Sequence, residues 1–224
     1  MTPRREGLHT VAWGSGRPVV FLHGLGGSTH IWDGVRSLSD DAYRGMAVDL
    51  LGFGRSPKPA DESYDVQCHL RHLVTVIPAG SVVVGHSAGA LLARMTVRGT
   101  PTARAICWLM CHTRWIGMLA APLVTRLPSA VARDSVRHTY ASYDRTLRHV
   151  VVEHRATADL ARVDIPVVVV HGRDDDVVPL RYVQAAVSPG VTVRVVEGDH
   201  LVPLHNPEAC AAALGDILVQ SNPV

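Results

Sequence analysis

An acyl-transfer centre needs a nucleophile, a base within hydrogen-bond reach to take its proton, and a third group to orient that base. The chain offers a candidate for each just after a short apolar run. Gly85-His86-Ser87-Ala88-Gly89 follows Ser81-Val82-Val83-Val84 and precedes Ala90-Leu91-Leu92-Ala93-Arg94-Met95. A strand that turns tightly between small residues into a helix exposes a serine hydroxyl and aims backbone N–H groups at a developing oxyanion. Of thirteen histidines, His200 in Gly198-Asp199-His200-Leu201 is the expected base, whereas His86, beside the serine, should turn away and pack structurally. The run Asp174-Asp175-Asp176 holds the acid; Asp175 is preferred, with Asp174 and Asp176 as alternates that could cap or brace the loop. A calcium loop is not expected there, because Val177-Val178-Pro179 returns at once to apolar packing.

These groups need elements to position them. Apolar runs at Leu8 to Trp13, Pro18 to Leu22, Arg44 to Leu50, Ser81 to Gly85, Ala105 to Met110, Pro166 to His171 and Val191 to Val196 read as strands, separated by segments at helical spacing. The alternation predicts an α/β fold built on a doubly wound, mostly parallel sheet. In such sheets ligands sit outside the carboxyl ends of the strands, where His23-Gly24-Leu25-Gly26-Gly27, the Ser87 turn, the Asp175 run and His200 all fall. Residues 113–163 break the rhythm with helical pattern and no strand, and read as a small helical lid within a single domain spanning 1–224.

Composition removes other classes. The 224 residues are 47% hydrophobic and 19% charged, which suits one compact domain. Mean hydropathy is only +0.14, and no apolar run is long enough for a membrane span. Met1 to Gly7 has two arginines but no apolar stretch behind them, so a cytoplasmic location is expected over secretion. Net charge is +2 with no basic block, which argues against a nucleic-acid partner. Cys68, Cys107, Cys111 and Cys210 fit no disulfide framework or zinc spacing. Cys68, His69 and His72 share a helix face but lack an evident third ligand, so neither metal nor cofactor is expected. Lys58 is the only lysine among the basic residues, a bias expected of GC-rich bacterial coding.

The segments Phe21 to Ser28 with Trp32 beyond, Asp49-Leu50-Leu51-Gly52-Phe53-Gly54-Arg55-Ser56, the Ser87 turn, Gly172 to Pro179, and Gly198-Asp199-His200 with Asn206-Pro207-Glu208 together resemble the α/β-hydrolase superfamily, in its serine-nucleophile, lidded branch. The resemblance implies that the acid stands three residues after the loop Gly and four before its Pro, which selects Asp175. It also implies an oxyanion hole from the backbone N–H groups of Leu25 and Ala88. A serine in place of an aspartate nucleophile argues against alkyl-enzyme chemistry. The chain is short for the family, with an N-terminal edge strand unaccounted for.

The expected function is that of a cofactor-independent serine hydrolase acting on an ester, lactone or thioester of a small molecule through an acyl-enzyme on Ser87. The alternatives are a non-hydrolytic enzyme of the same fold (acyl transfer, carbon–carbon cleavage, elimination or cyclisation) and a ligand-binding protein on a hydrolase core. Trp32, Trp115, Met118, Leu119, Tyr140, Tyr143, Val177 and Leu201 are the candidate substrate contacts. Residues 112–163 hold eight arginines against four acids, an excess that suits an acidic or carrier-bound acyl substrate or, equally, a solvated helical face.

Overall fold

The computed structural model describes residues 7–39, 42–92, 129–153, 167–187 and 191–220. The first sheet contains β1 (Thr10–Trp13), β2 (Pro18–Leu22), β3 (Arg44–Val48) and β4 (Val82–Gly85), in the order β1-β3-β2-β4. The pairs β2–β3 and β2–β4 are parallel and β1–β3 is antiparallel. The second sheet pairs β5 (Val168–Gly172) with β6 (Thr192–Val196) in parallel. The expected strand at Ala105 to Met110 lies outside the described residues.

β2 is the centre of the first sheet, and its sequence shows why. Val19, Val20, Phe21 and Leu22 have no polar alternation, as a strand covered on both faces requires. Their side chains alternate between two cores. Val20 and Leu22 join Leu50, Phe53, Tyr64, Cys68, Tyr143 and Leu147 on one face. Val19 and Phe21 join Ile31, Trp32, Val35, Tyr43 and Leu214 on the other. Complete burial of a side chain such as Phe21 contributes about 2 kcal/mol.

Helices cover both faces. α1 (Asp33–Ser37) follows a 3₁₀ turn at Thr29–Trp32, and α2 (Val66–Leu73) starts where the Asp65 carboxylate accepts the Cys68 N–H. α3 begins at Ala88. α4 (Ala130–Asp134) is capped by Ser129; α5 (Tyr140–Thr146) starts with a capping box between Thr139 and Ser142 and runs on into a wider π turn at Leu147–Val152. α6 (Leu180–Ala186), α7 (Val202–His205) and α8 (Pro207–Gln220) complete the chain. No helix among the described residues is long and apolar enough to cross a membrane.

Register brings the strand ends together. Leu22 is level with Val48 and with Gly85, so His23, Asp49 and His86 emerge side by side at one sheet edge. β3 stops at Val48, two residues short of the sequence expectation, because His23 Nε2 accepts the Leu50 N–H at 2.9 Å and the Asp49 side chain turns inward. The Asp49 carboxylate accepts the N–H of Thr29 at 2.7 Å and of Arg55 at 2.8 Å, tying two loops to the sheet end.

Of residues 113–163, expected to form a lid, 129–153 are described, and they dock closely on the core. Ser142 Oγ donates to the Gly52 carbonyl at 2.9 Å, and a Cβ at Gly52 would lie 2.4 Å from that of Ser142. Ser28 Oγ donates to buried Asp134 at 2.6 Å, and His30 Nδ1 reaches the same carboxylate oxygen at 2.5 Å. Arg145 donates to the carbonyls of Ala60 and Glu62.

Candidate active site

Ser87 lies between β4 and α3 at φ +50°, a left-handed conformation that a non-glycine residue adopts only where its surroundings impose it. The surroundings do so. His86 N–H donates to the Leu22 carbonyl and Gly89 N–H to the His86 carbonyl, at 2.9 and 2.8 Å. A Cβ at Gly85 would meet the backbone of Gly89 and Ala90 at 2.6–2.7 Å, and one at Gly89 would meet the carbonyls of Leu22 and His23 at 2.5 Å. The flanking glycines are therefore steric requirements of the turn.

The His23 loop packs directly against it: a Cβ at Gly24 would stand 3.0 Å from that of Ser87. His23 is wholly buried, and its two hydrogen bonds fix one neutral tautomer, with Nδ1 donating to the Gly24 carbonyl at 2.6 Å and Nε2 accepting from Leu50. Burial holds its pKa below the usual histidine value, against the opposing pull of the Gly24 carbonyl and of Asp49. Gly24 also receives the Gly27 N–H at 3.0 Å, which closes the loop. Among the described residues neither the Leu25 nor the Ala88 N–H is paired with a backbone carbonyl.

On the second sheet, His200 Nδ1 donates to Asp175 Oδ2 at 2.9 Å. Asp175 Oδ1 accepts the Val178 N–H at 2.7 Å, and His171 Nε2 lies 3.7 Å from Oδ2. Burial alone would raise the Asp175 pKa; the His200 and Val178 hydrogen bonds outweigh it and hold the carboxyl below its usual range. Asp174 and Asp176 are exposed, so of the three adjacent carboxylates only Asp175 meets the imidazole.

The two halves meet at His86, whose Nε2 donates to the His200 carbonyl at 2.8 Å with the rings 5.1 Å apart. His86 Nδ1 is buried with no hydrogen-bond partner among the described residues, and burial, reinforced by the neighbouring His200, pushes its pKa down to about 4. The ring turns inward and packs, as expected from sequence, but the role in holding the His200 backbone was not legible there. Among the described residues the hydrogen bonds of His200 run to Asp175 and His86, and none joins it to the Ser87 hydroxyl.

The other expected contacts divide. Trp32 is 2% exposed and packs on Phe21 at 5.3 Å, which corrects its reading as a substrate contact: the 3₁₀ turn points it into the core. Tyr143, 8% exposed, packs over the His23 loop, where a Cβ at Gly26 would meet its ring at 3.3 Å. Tyr140 is exposed, Val177 is half-buried, and half-buried Leu201 packs toward the Trp32 core. Trp115, Met118 and Leu119 lie outside the described residues. The expectation that Cys68 and His72 have no third ligand is corrected too: Glu62 brings a carboxylate to them, while His69 turns away to Thr146 Oγ1 at 3.1 Å.

Comparison with known proteins follows the same lines. Over 205 residues the chain is 25% identical to a pimeloyl-[acyl-carrier protein] methyl ester esterase of Aeromonas hydrophila, covering 75% of this chain and 80% of that protein. Over 82 residues it is 42% identical to a probable lysophospholipase, BODYGUARD 4, of Arabidopsis thaliana, a match covering 34% of this chain and only 20% of that relative's length. In fold, an esterase from Exiguobacterium antarcticum superposes with a TM-score of 0.76 at 17% identity, over 96% of each chain. The sequence profile of the alpha/beta hydrolase family matches residues 19–213, from β2 to the middle of α8, and the chain belongs to that family.

Proposed function

We propose that the protein is a serine esterase that cleaves an ester, lactone or thioester of a small molecule through an acyl-enzyme on Ser87. The observation that carries this reading is the 2.9 Å bond from His200 Nδ1 to Asp175, with left-handed Ser87 directly beside His86, the same histidine's backbone support. With Nδ1 committed to the carboxylate, Nε2 of neutral His200 holds a lone pair and can take the Ser87 proton as Oγ attacks the acyl carbon. Asp175, kept ionised, stabilises the imidazolium that results. The N–H groups of Leu25 and Ala88 receive the oxyanion, and His200 returns its proton to the leaving group. Water, deprotonated by the same imidazole, then releases the acid and restores Ser87.

The excess of arginine in residues 112–163 and the similarity to an esterase acting on an acyl-carrier-protein ester favour, as a second reading, an acyl group delivered on an acidic carrier. Turnover of a panel of short-chain, aromatic and carrier-bound thioester substrates in heavy-oxygen water tests both. Solvent oxygen in the acid product, lost with Ser87→Ala, is the expected result. Transfer of the acyl group to an alcohol without solvent oxygen would replace hydrolysis by acyl transfer, and turnover that survives Ser87→Ala would remove the acyl-enzyme.

A further inference from the structure

Away from Ser87, the loop between β3 and α2 and the helix it feeds bring three ligating side chains to one point. Glu62 is in the loop; Cys68 and His72 lie one turn apart on the same face of α2. Their ligand atoms all fall within 4.8 Å of one another, the only such group of three among the described residues. Cys68 Sγ is 3.2 Å from Glu62 Oε2, and His72 Nε2 is 3.5 Å from Glu62 Oε1. One Glu62 oxygen lies beside the thiol and the other beside the imidazole, so all three side chains can reach a single ion with metal–ligand bonds of about 2.0–2.3 Å after small side-chain rotations.

The protein's own hydrogen bonds leave this cluster incomplete. Cys68 donates to Glu62, whereas His72 Nε2, buried and 3.5 Å from Glu62 Oε1, makes no closer hydrogen bond among the described residues. The side chains of His72 and Glu62 are 17% and 18% exposed, which leaves an approach for an ion to a sulfur that is itself fully buried. Arg71 Nη2, 3.4 Å from Glu62 Oε2 on a largely exposed side chain, can swing clear.

We infer that Glu62, Cys68 and His72 form a transition-metal site of the zinc class, with its fourth position open to water. One thiolate, one imidazole and one carboxylate suit zinc far better than calcium or magnesium, which take oxygen donors. Binding replaces the Cys68 Sγ–H bond to Glu62 by a sulfur–metal bond and releases that proton to solvent, with no change of oxidation state. The site would clamp the loop to α2 at the place where Arg145 of α5 holds the Ala60 and Glu62 carbonyls and where Tyr64 is kept at φ +54°. A bound ion would thus hold the platform on which α5 docks.

Cobalt substitution of the full, tag-free chain provides the test. One cobalt per chain is expected, with an intense thiolate-to-cobalt charge-transfer band and tetrahedral d–d absorption, both abolished by competing zinc. Cys68→Ser should lose the charge-transfer band, and Glu62→Gln and His72→Ala should each weaken binding by about tenfold or more. Saturating zinc should raise the thermal midpoint of the wild type and leave that of Cys68→Ser unmoved. Should Cys68→Ser fail to fold, X-ray absorption of the zinc-loaded wild type substitutes, with one sulfur scatterer expected. Absence of the charge-transfer band, its survival in Cys68→Ser, or a zinc shell of nitrogen and oxygen alone would overturn the assignment.

Discussion

His86 Nε2 donates to the His200 carbonyl at 2.8 Å, so the residue preceding Ser87 holds the backbone of the imidazole that pairs with Asp175. Sequence places these two histidines 114 residues apart; the structure makes one the support of the other. His86→Phe keeps the ring and removes the donor. Esterase turnover should fall roughly tenfold to a hundredfold through misplacement of His200. The loss should be in kcat rather than KM, and circular dichroism should be unchanged. Wild-type turnover in that variant would dissociate His86 from the positioning of His200.

Asp175→Asn preserves an acceptor for the Val178 N–H but replaces the carboxylate that orients His200 and stabilises its charge. Turnover near neutral pH should drop by about 10⁴-fold, because the amide can hold the imidazole in the wrong tautomer. Asp174→Asn and Asp176→Asn, on exposed side chains, should stay within about twofold of wild type, an expectation that steady-state kinetics on the three variants checks side by side.

Gly89 and Gly215 should respond oppositely to alanine. At Gly89 the new Cβ would meet two backbone carbonyls at 2.5 Å, with nothing flexible to yield, and a loss of about 3 kcal/mol is expected. At Gly215, exposed on α8, a Cβ meets nothing within 4 Å, and better helix propensity should add about 0.5–1 kcal/mol. Urea unfolding midpoints of the two variants would show the contrast; equal midpoints would contradict the steric account of the turn.

Buried neutral histidines give stability a defined pH dependence. Burial, chiefly, lowers both His69 and His86 to about 4, whereas an unfolded histidine titrates near 6.5. Between those values the unfolded chain binds more protons, so stability must fall as the solution is acidified from about 6.5 to about 4. At pH 5 each residue should cost about 2 kcal/mol relative to pH 7.5. Asp175, held low in the fold, adds to the same trend only below the usual carboxylate range. Urea titrations at pH 7.5 and 5.0 should show the decline, and equal midpoints would contradict neutral burial.

Much of this was legible from local pattern. The ends of Pro18 to Leu22 match the observed strand because a five-residue apolar run bounded by Gly16 and by His23-Gly24 is too short for a buried helix and suits an interior strand. The family resemblance, through the spacing of Asp175 from Gly172 and Pro179, selects it over two neighbouring acids, and the structure turns only that one toward His200. The rest depended on contacts that no period encodes. Arg44 to Leu50 was read two residues too long because the end of β3 is set by His23, 27 residues away, which takes the Leu50 N–H. Trp32 was misread since a 3₁₀ turn can direct an aromatic ring to either side, and only the position of Phe21 decides. Glu62 escaped notice as a companion of Cys68 and His72 because a loop, not the helix, delivers it. The latch of Ser28 and His30 on Asp134 joins residues more than a hundred apart, beyond any motif.

The most direct test of the central claim is intact-protein mass spectrometry after exposure to a fluorophosphonate, comparing wild type with Ser87→Ala and His200→Ala and mapping the labelled peptide. The account predicts a single adduct on Ser87, absent in Ser87→Ala and strongly diminished in His200→Ala. A folded wild type that takes no label, or label that persists in Ser87→Ala, would contradict it.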